Sequence, residues 1–272
     1  MRDWENYFDD KNEQPLDNLV DSYSNTSVFR TMAFVGDSLS SGEFVSYNKN
    51  GDRLYHDMYE YSWGQHIARK NGLMGYSFSR GGMTAEEYLT SFAEAKGFWD
   101  KDKACQAYVL ALGVNDILGE GIPVGSMDDV NLDDYRQNKP TFLGNYAAIV
   151  SRYKEISPDA KFFFVTFPNV PEKNQKAAQE MVAALYALAE KCNNAYVIDL
   201  YHYGPLYDEE FERRFYLDNH MNPSGYLFTA KLIDSYIDYI IRHNPDEFRA
   251  AGFIGTGITY RKPEGVTVKK HL

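Results

Sequence analysis

The sequence predicts an α/β protein, one large domain built on a doubly wound parallel sheet of about five strands. Three observations carry this expectation. Short apolar runs rich in β-branched and aromatic residues alternate with segments of helical periodicity, the signature of a parallel sheet with crossover helices. The runs are near-continuously apolar in their middles, as strands covered on both faces require. At 272 residues with 44% hydrophobic side chains, the chain is long enough for one sizeable core.

The elements follow in order. Residues 1–28 form an acidic extension in which Trp4, Tyr7 and Phe8 are suited to burial against the body or a second copy of the chain, and homo-oligomer formation is an expectation on that account. Strands are expected at 29–35, 75–79, 107–112, 161–167 and 195–200. Helices are expected at 61–70, 85–95, 141–156, 173–192 and 224–242. The second helix opens with a capping box in which Thr84 precedes Glu87. The last carries Leu227, Ala230, Ile233, Ile237, Ile240 and Ile241 on one stripe, with Asn222 and Pro223 suited to its cap and first position. The acidic, glycine-containing stretch 119–134 reads as a long loop of the kind that is functional or mobile. The main domain is expected to span 29–260 and to end in a polar tail at 261–272.

A formal net charge of -11 argues against nucleic acid and anionic membranes as partners, because phosphate recognition depends on clustered Lys and Arg. A small neutral or cationic molecule is the easier substrate. The N-terminal residues lack a basic start followed by an apolar stretch, and no run of about 18 apolar residues follows. Both features favour the cytoplasm. Cys105 and Cys192 have no His or Cys at metal-ligand spacing and are expected to be buried free thiols.

In open α/β sheets the ligand site lies beyond the carboxyl ends of the strands. Four segments stand at such places: Gly36-Asp37-Ser38, then Ser79-Arg80-Gly81-Gly82-Met83-Thr84, then Gly113-Val114-Asn115-Asp116, and Asp218-Asn219-His220 before the last helix. Acyl transfer needs a nucleophilic hydroxyl, a base within reach and donors aimed at the developing oxyanion. Ser38 supplies the first from a strand-to-helix turn. His220 supplies the second. The Ser38 and Gly82 N–H groups and the Asn115 side-chain amide supply the third, with Gly82 leaving room for close backbone approach.

With these residues in order the chain resembles the SGNH, or GDSL-type, hydrolases: Gly36-Asp37-Ser38-Leu39 matches the first block, Gly82 the second, Gly113-Val114-Asn115-Asp116 the third and His220 the last, over roughly residues 29–242. The resemblance implies a flavodoxin-like three-layer α/β/α fold and serine-dependent ester hydrolysis without a metal or cofactor. It implies for Ser38, Gly82, Asn115 and His220 the roles just given. Most of the family places an aspartate three residues before the histidine, where it orients the imidazole. Here that residue is Leu217, and the nearest acid is Asp218. Three groups are candidates to orient His220: a backbone carbonyl, which is preferred, Asp218 through an altered loop, or an acid from elsewhere such as Glu43.

Plainer readings stand beside these. Ser38 is a good helix cap, and Asp37 and Asp116 are best read as loop-bonding residues. Arg80 reads as a loop anchor, the aromatic residues chiefly as core, and His56, His66, His202, His243 and His271 sit in no comparable motif. No G-x-S-x-G, G-x-x-x-x-G-K-[ST] or G-x-G-x-x-G occurs, so neither an α/β-hydrolase elbow nor nucleotide binding has support. The expected function is a serine esterase that removes a small acyl group, acetyl by preference, from a carbohydrate or other small molecule. The alternatives are a catalytically weak glycan-binding protein on the same fold, or an acyltransferase.

Overall fold

The structure, a computed structural model, describes residues 12–258. In chain order it contains β1 (Thr31–Gly36), the hairpin of β2 (Glu43–Tyr47) and β3 (Arg53–Asp57), helix α1 (Trp63–Asn71) and β4 (Met74–Ser79). Helix α2 (85–95, with a π turn over Tyr88–Phe92), β5 (Ala107–Ala111), α3 (Phe142–Ile156), β6 (Lys161–Val165), α4 (Gln175–Lys191) and β7 (Ala195–Ile198) follow. The two-residue strands β8 (Tyr216–Leu217) and β9 (His220–Met221) form a small ribbon before the long α5 (Pro223–His243).

The main sheet runs β4-β1-β5-β6-β7 and is parallel throughout. The chain winds outward in one direction from β1 to β4 and in the other from β5 to β7, so the switch point lies between β1 and β5. Alternate residues serve opposite layers, as the pleat demands. Met32, Phe34, Val109 and Phe163 meet Trp63, Ile67, Tyr226, Ile233 and Ile237 of α1 and α5. Ala33, Val35, Leu110 and Phe162 meet Tyr88, Tyr146, Tyr153 and Leu185 of α2, α3 and α4. This is the three-layer α/β/α, doubly wound sheet that the sequence leads one to expect.

Each expected strand and helix is present, with shifted ends that have local causes. Ser62 caps α1 by accepting from the Gln65 N–H, which confines 59–61 to a separate 3-10 turn. β7 stops at Ile198 because the Asp199 side chain caps the turn Leu200–Tyr203. On α5 the expected stripe is buried from Ala230 to Ile241, whereas Leu227 in its first turns is exposed. Only half of the expected capping box forms: Thr84 accepts from the Glu87 N–H, but the Glu87 carboxylate pairs with Arg80 at 2.6 Å. The stretch 119–134 is pinned rather than loose. Val124 is buried, the Phe142 N–H donates to Pro123 O at 3.0 Å, and Asp129 holds Lys139 at 2.8 Å.

The β2–β3 hairpin is an addition to the expected elements, and the turn-forming Asn48–Asp52 with its Asn50-Gly51 pair is the sequence signal for it. Within the acidic extension, residues from Glu13 onward lie along α5: Val20 N–H donates to Ser235 Oγ at 3.0 Å, Ser24 Oγ to Asp234 at 2.8 Å, and Glu13 pairs with Arg242. Trp4, Tyr7, Phe8 and the tail 261–272 lie outside the described residues. Cys105 and Cys192 are free and buried, and burial pushes the Cys105 thiol up to about 12. No described helix is long and apolar enough to cross a membrane.

Candidate active site

Parallel register sets the site. Gly36 lies opposite Ser79 on one side and Ala111 on the other, so the segments leaving β4, β1 and β5 emerge side by side at the switch point. Each segment turns by its own device. After β1, Asp37 rather than Ser38 is the helix cap: its side chain accepts from the Leu39 N–H at 3.0 Å, and its carbonyl takes the N–H groups of Ser40 and Ser41. The Ser38 N–H, first in the turn, is left to donate outward. After β4, the Met83 N–H donates to Arg80 O across a tight turn whose third residue, Gly82, has φ +72 and so suits glycine. After β5, Gly113 at φ +130 leads into a π turn over Val114–Gly119 that carries Asn115.

Side chains then tie the segments together. Asn115 Nδ2 donates to Met83 O at 3.1 Å, and Asp116 Oδ1 accepts from the Ala85 N–H at 2.9 Å. Asp37 and Asp116 thus serve loop backbone. Both are buried, and desolvation raises their carboxyls to about 7 and about 6.

A cleft of about 300 Å³ opens at this point, lined by Ser38, Asn115, Asn219 and His220, with Phe167 and Tyr207 among its walls. Ser38, Asn115 and His220 are therefore brought together although they are distant in sequence. Gly82 is exposed and does not line the cleft, so of the three expected oxyanion donors it stands apart. An apolar cavity of about 80 Å³ adjoins, sharing Asp37, Leu39, Val114 and Phe167 with the cleft.

His220 begins β9 and is 7% exposed. Its Nδ1 lies 2.9 Å from Asn219 Oδ1, and its Nε2 lies 3.0 Å from Glu43 Oε1. Since an amide oxygen only accepts, Nδ1 carries a hydrogen and donates it to Asn219 Oδ1. Desolvation raises the Glu43 carboxyl, helped by Asp57, and desolvation lowers His220, so burial shifts both groups towards their neutral forms. Ser38 Oγ makes no hydrogen bond to His220 among the described residues. The backbone carbonyl preferred on sequence grounds is not the imidazole's partner: among the described residues both ring nitrogens meet side chains.

Asp218 does not reach His220 either. It has φ +58 in the turn between β8 and β9, and its carboxylate takes Arg53 at 2.7 Å and the Tyr47 hydroxyl at 2.8 Å, which ties the turn to the β2–β3 hairpin. Leu217 is 48% exposed. Glu43 arrives at the start of β2, directly after Gly42, whose φ of +80 ends the Ser38–Ser41 turn. A Cβ at Gly81 would stand 2.0 Å from Glu43 Oε2, so the first glycine of the Gly-Gly pair leaves space for this carboxyl. Asn219 is the residue that sequence reasoning missed, and its only signal was adjacency to His220.

Other residues fall outside the site. His202 pairs with Asp199 at 2.8 Å away from the cleft, and Arg80 anchors its loop through Glu87 and the Phe92 ring. Among the described residues no group of three or more His, Cys, Asp or Glu is gathered as a metal site would require.

The sequence profile of the GDSL-like lipase/acylhydrolase family matches residues 34–227. No curated protein matches the chain by sequence. Among solved structures, a family two carbohydrate esterase from Clostridium thermocellum in complex with cellohexaose is similar, with TM-score 0.52 and 15% identity over 86% of this chain and 66% of that one. A protein from Lactobacillus plantarum gives TM-score 0.55 and 16% identity, covering 77% of this chain and 97% of that one. A Corynascus thermopiles carbohydrate esterase family 2 enzyme with a carbohydrate binding domain gives TM-score 0.52 and 14% identity, covering 82% and 68%. At these identities the likeness is one of fold.

Proposed function

The chain belongs to the GDSL-like lipase/acylhydrolase family, and from that premise we propose that it is an esterase that removes a small acyl group, acetyl by preference, from a carbohydrate or other small molecule. The observation that carries the reading is the convergence of Ser38, Asn115 and His220 on one cleft at the switch point of the sheet.

In this reading Ser38 Oγ attacks the ester carbonyl while its proton passes to His220 Nε2, the nitrogen that carries the lone pair in the neutral Nδ1–H tautomer. Ser38 takes the place of the Glu43 carboxyl on that nitrogen when substrate enters. The oxyanion accepts from the Ser38 N–H and from Asn115 Nδ2, whose second hydrogen remains after its bond to Met83 O. Collapse breaks the C–O bond, and His220 returns the proton to the leaving alkoxide. Water then attacks the acyl-Ser38 ester by the same route, with His220 taking its proton and passing it to Ser38.

Two features support the finer choice of substrate. The adjoining apolar cavity is about 80 Å³, roughly half the ~150 Å³ that accepts a benzene ring, which suits a short acyl chain and is too small for a fatty one. Tyr55, 53% exposed on β3, stands edge-on to His220 with ring centroids 6.2 Å apart and offers a face for a sugar ring. The likeness in fold to carbohydrate esterases points the same way. A binding-only role is favoured by one observation, the absence of a Ser38–His220 hydrogen bond among the described residues.

A fluorophosphonate probe and a panel of chromogenic acyl esters and acetylated sugars decide between them. The esterase labels at Ser38, hydrolyses acetyl esters faster than octanoyl esters, and loses both properties as Ser38→Ala. A wild-type protein that neither labels nor hydrolyses any ester overturns the catalytic reading.

A further inference from the structure

We propose that Asn219 is the positioning residue for His220, its side-chain carbonyl holding the imidazole where other members of the architecture would use a carboxylate. The inference rests on His220 acting as the base. Three pieces of geometry carry it. Asn219 Oδ1 lies 2.9 Å from His220 Nδ1, within ordinary hydrogen-bond length, and an acceptor there keeps the hydrogen on Nδ1, so that the neutral imidazole has its lone pair on Nε2. Asn219 itself lines the cleft beside Ser38 and His220. The turn that carries it is held from outside: Asp218, at φ +58, is clamped by Arg53 and Tyr47 of the hairpin, so the neighbouring Asn219 has a defined place.

The ribbon explains why position 217 is the ordinary place for an orienting acid and why its loss matters here. Leu217 pairs with His220 across β8–β9, and cross-strand partners put their side chains on one face about 5 Å apart. A leucine there offers no acceptor. Asp218 points to Arg53, and Glu43 occupies the other nitrogen, so Asn219 is what remains for Nδ1. An amide differs from a carboxylate in one respect that can be measured. It fixes the tautomer without adding a charge that favours the imidazolium ion.

The groups that bear on the titration of His220 are Glu43 at Nε2 from β2, Arg53, Tyr55 and Asp57 from β3, Asp218 from its own turn, and Lys173 and Glu212 on the cleft wall. Against that constant background, Asn219→Asp adds one negative charge at Nδ1.

The test measures kcat, KM and the acid limb of kcat/KM against pH for the full chain with a chromogenic acetyl ester, with urea unfolding as a check on folding. Asn219→Ala is expected to lower kcat about 10- to 100-fold, the range for loss of one hydrogen bond to a group that becomes charged, with KM little changed. Asn219→Asp is expected to restore most of kcat and to move the acid limb upward by about one pH unit or more. Normal kcat in a folded Asn219→Ala protein overturns the inference, and so does an unmoved acid limb in Asn219→Asp. Undiminished activity of His220→Ala would instead bring down the reading of the base on which the inference rests.

Discussion

Asp37 is a carboxyl that the fold buries completely while using it as a helix cap, and an asparagine in its place separates the two roles. Its value rises from 3.8 to about 7, with desolvation the largest cause and the charges of Asp116 and Glu43 adding to it, while the Leu39 N–H pulls the other way. A carboxyl held higher in the folded than in the unfolded chain binds its proton more tightly when folded. The native state is therefore favoured at low pH and is progressively penalised as pH climbs from about 4 to about 7. About three pH units at 1.36 kcal/mol each place the full penalty near 4 kcal/mol above pH 7 and about 1.5 kcal/mol at pH 5. The substituted amide would keep an oxygen for the Leu39 N–H and carry no charge, and Asn and Asp cap equally well. Asp37→Asn should thus be more stable than wild type by about 4 kcal/mol at pH 8, by about 1.5 kcal/mol at pH 5, and by little below pH 4. Urea unfolding at the three pH values measures the increments, and the melting temperature at pH 8 should rise by roughly 8 °C or more. Equal increments at pH 5 and pH 8, or a variant less stable than wild type at pH 8, would refute the reasoning.

Two further outcomes follow from contacts already described. Gly81→Ala should destabilise the protein by about 1–3 kcal/mol, because the new Cβ would stand 2.0 Å from Glu43 Oε2, whereas adding Glu43→Ala should return most of that loss; additive effects in the unfolding cycle would count against the contact. Arg242→Ala should cost about 1.5–3 kcal/mol at pH 7 by taking the guanidinium from the buried Glu13, which keeps only Asn18 and His243 as partners. Arg242 holds the Glu13 carboxyl down to about 2 from 4.5, so this stabilisation is present above about pH 4.5 and fades as pH falls towards 2, and acid unfolding of the variant should accordingly show a shallower loss over that interval.

The parts legible in the sequence were those that local chemistry dictates. Runs such as Phe162-Phe163-Phe164 cannot sit anywhere but inside a covered strand, and the stripe from Ala230 to Ile241 needs a sheet to lie on. Ser38, Asn115 and His220 could be picked out because each follows or precedes such an element, where a parallel sheet directs loops to one end. The hairpin was missed for the opposite reason. Its β3 is exposed along its whole length, so no buried periodicity marked it.

The surroundings of His220 belong to the second kind. Glu43 precedes it by 177 positions and Arg53 precedes Asp218 by 165, and neither pairing has any expression in local sequence. A backbone carbonyl was a reasonable expectation once Leu217 stood where an acid was looked for, yet which acceptor meets Nδ1 depends on a turn whose first residue is held at φ +58 by a hairpin from elsewhere in the chain. Sequence alone thus determined the layers, the order of strands and helices and the placing of Ser38, Asn115 and His220 at one end of the sheet, since burial patterns and turn chemistry act over a few positions. Which side chain meets each nitrogen of His220 was decided only by tertiary structure, because a hydrogen bond is settled within a few tenths of an ångström and that precision exists only after distant segments have packed.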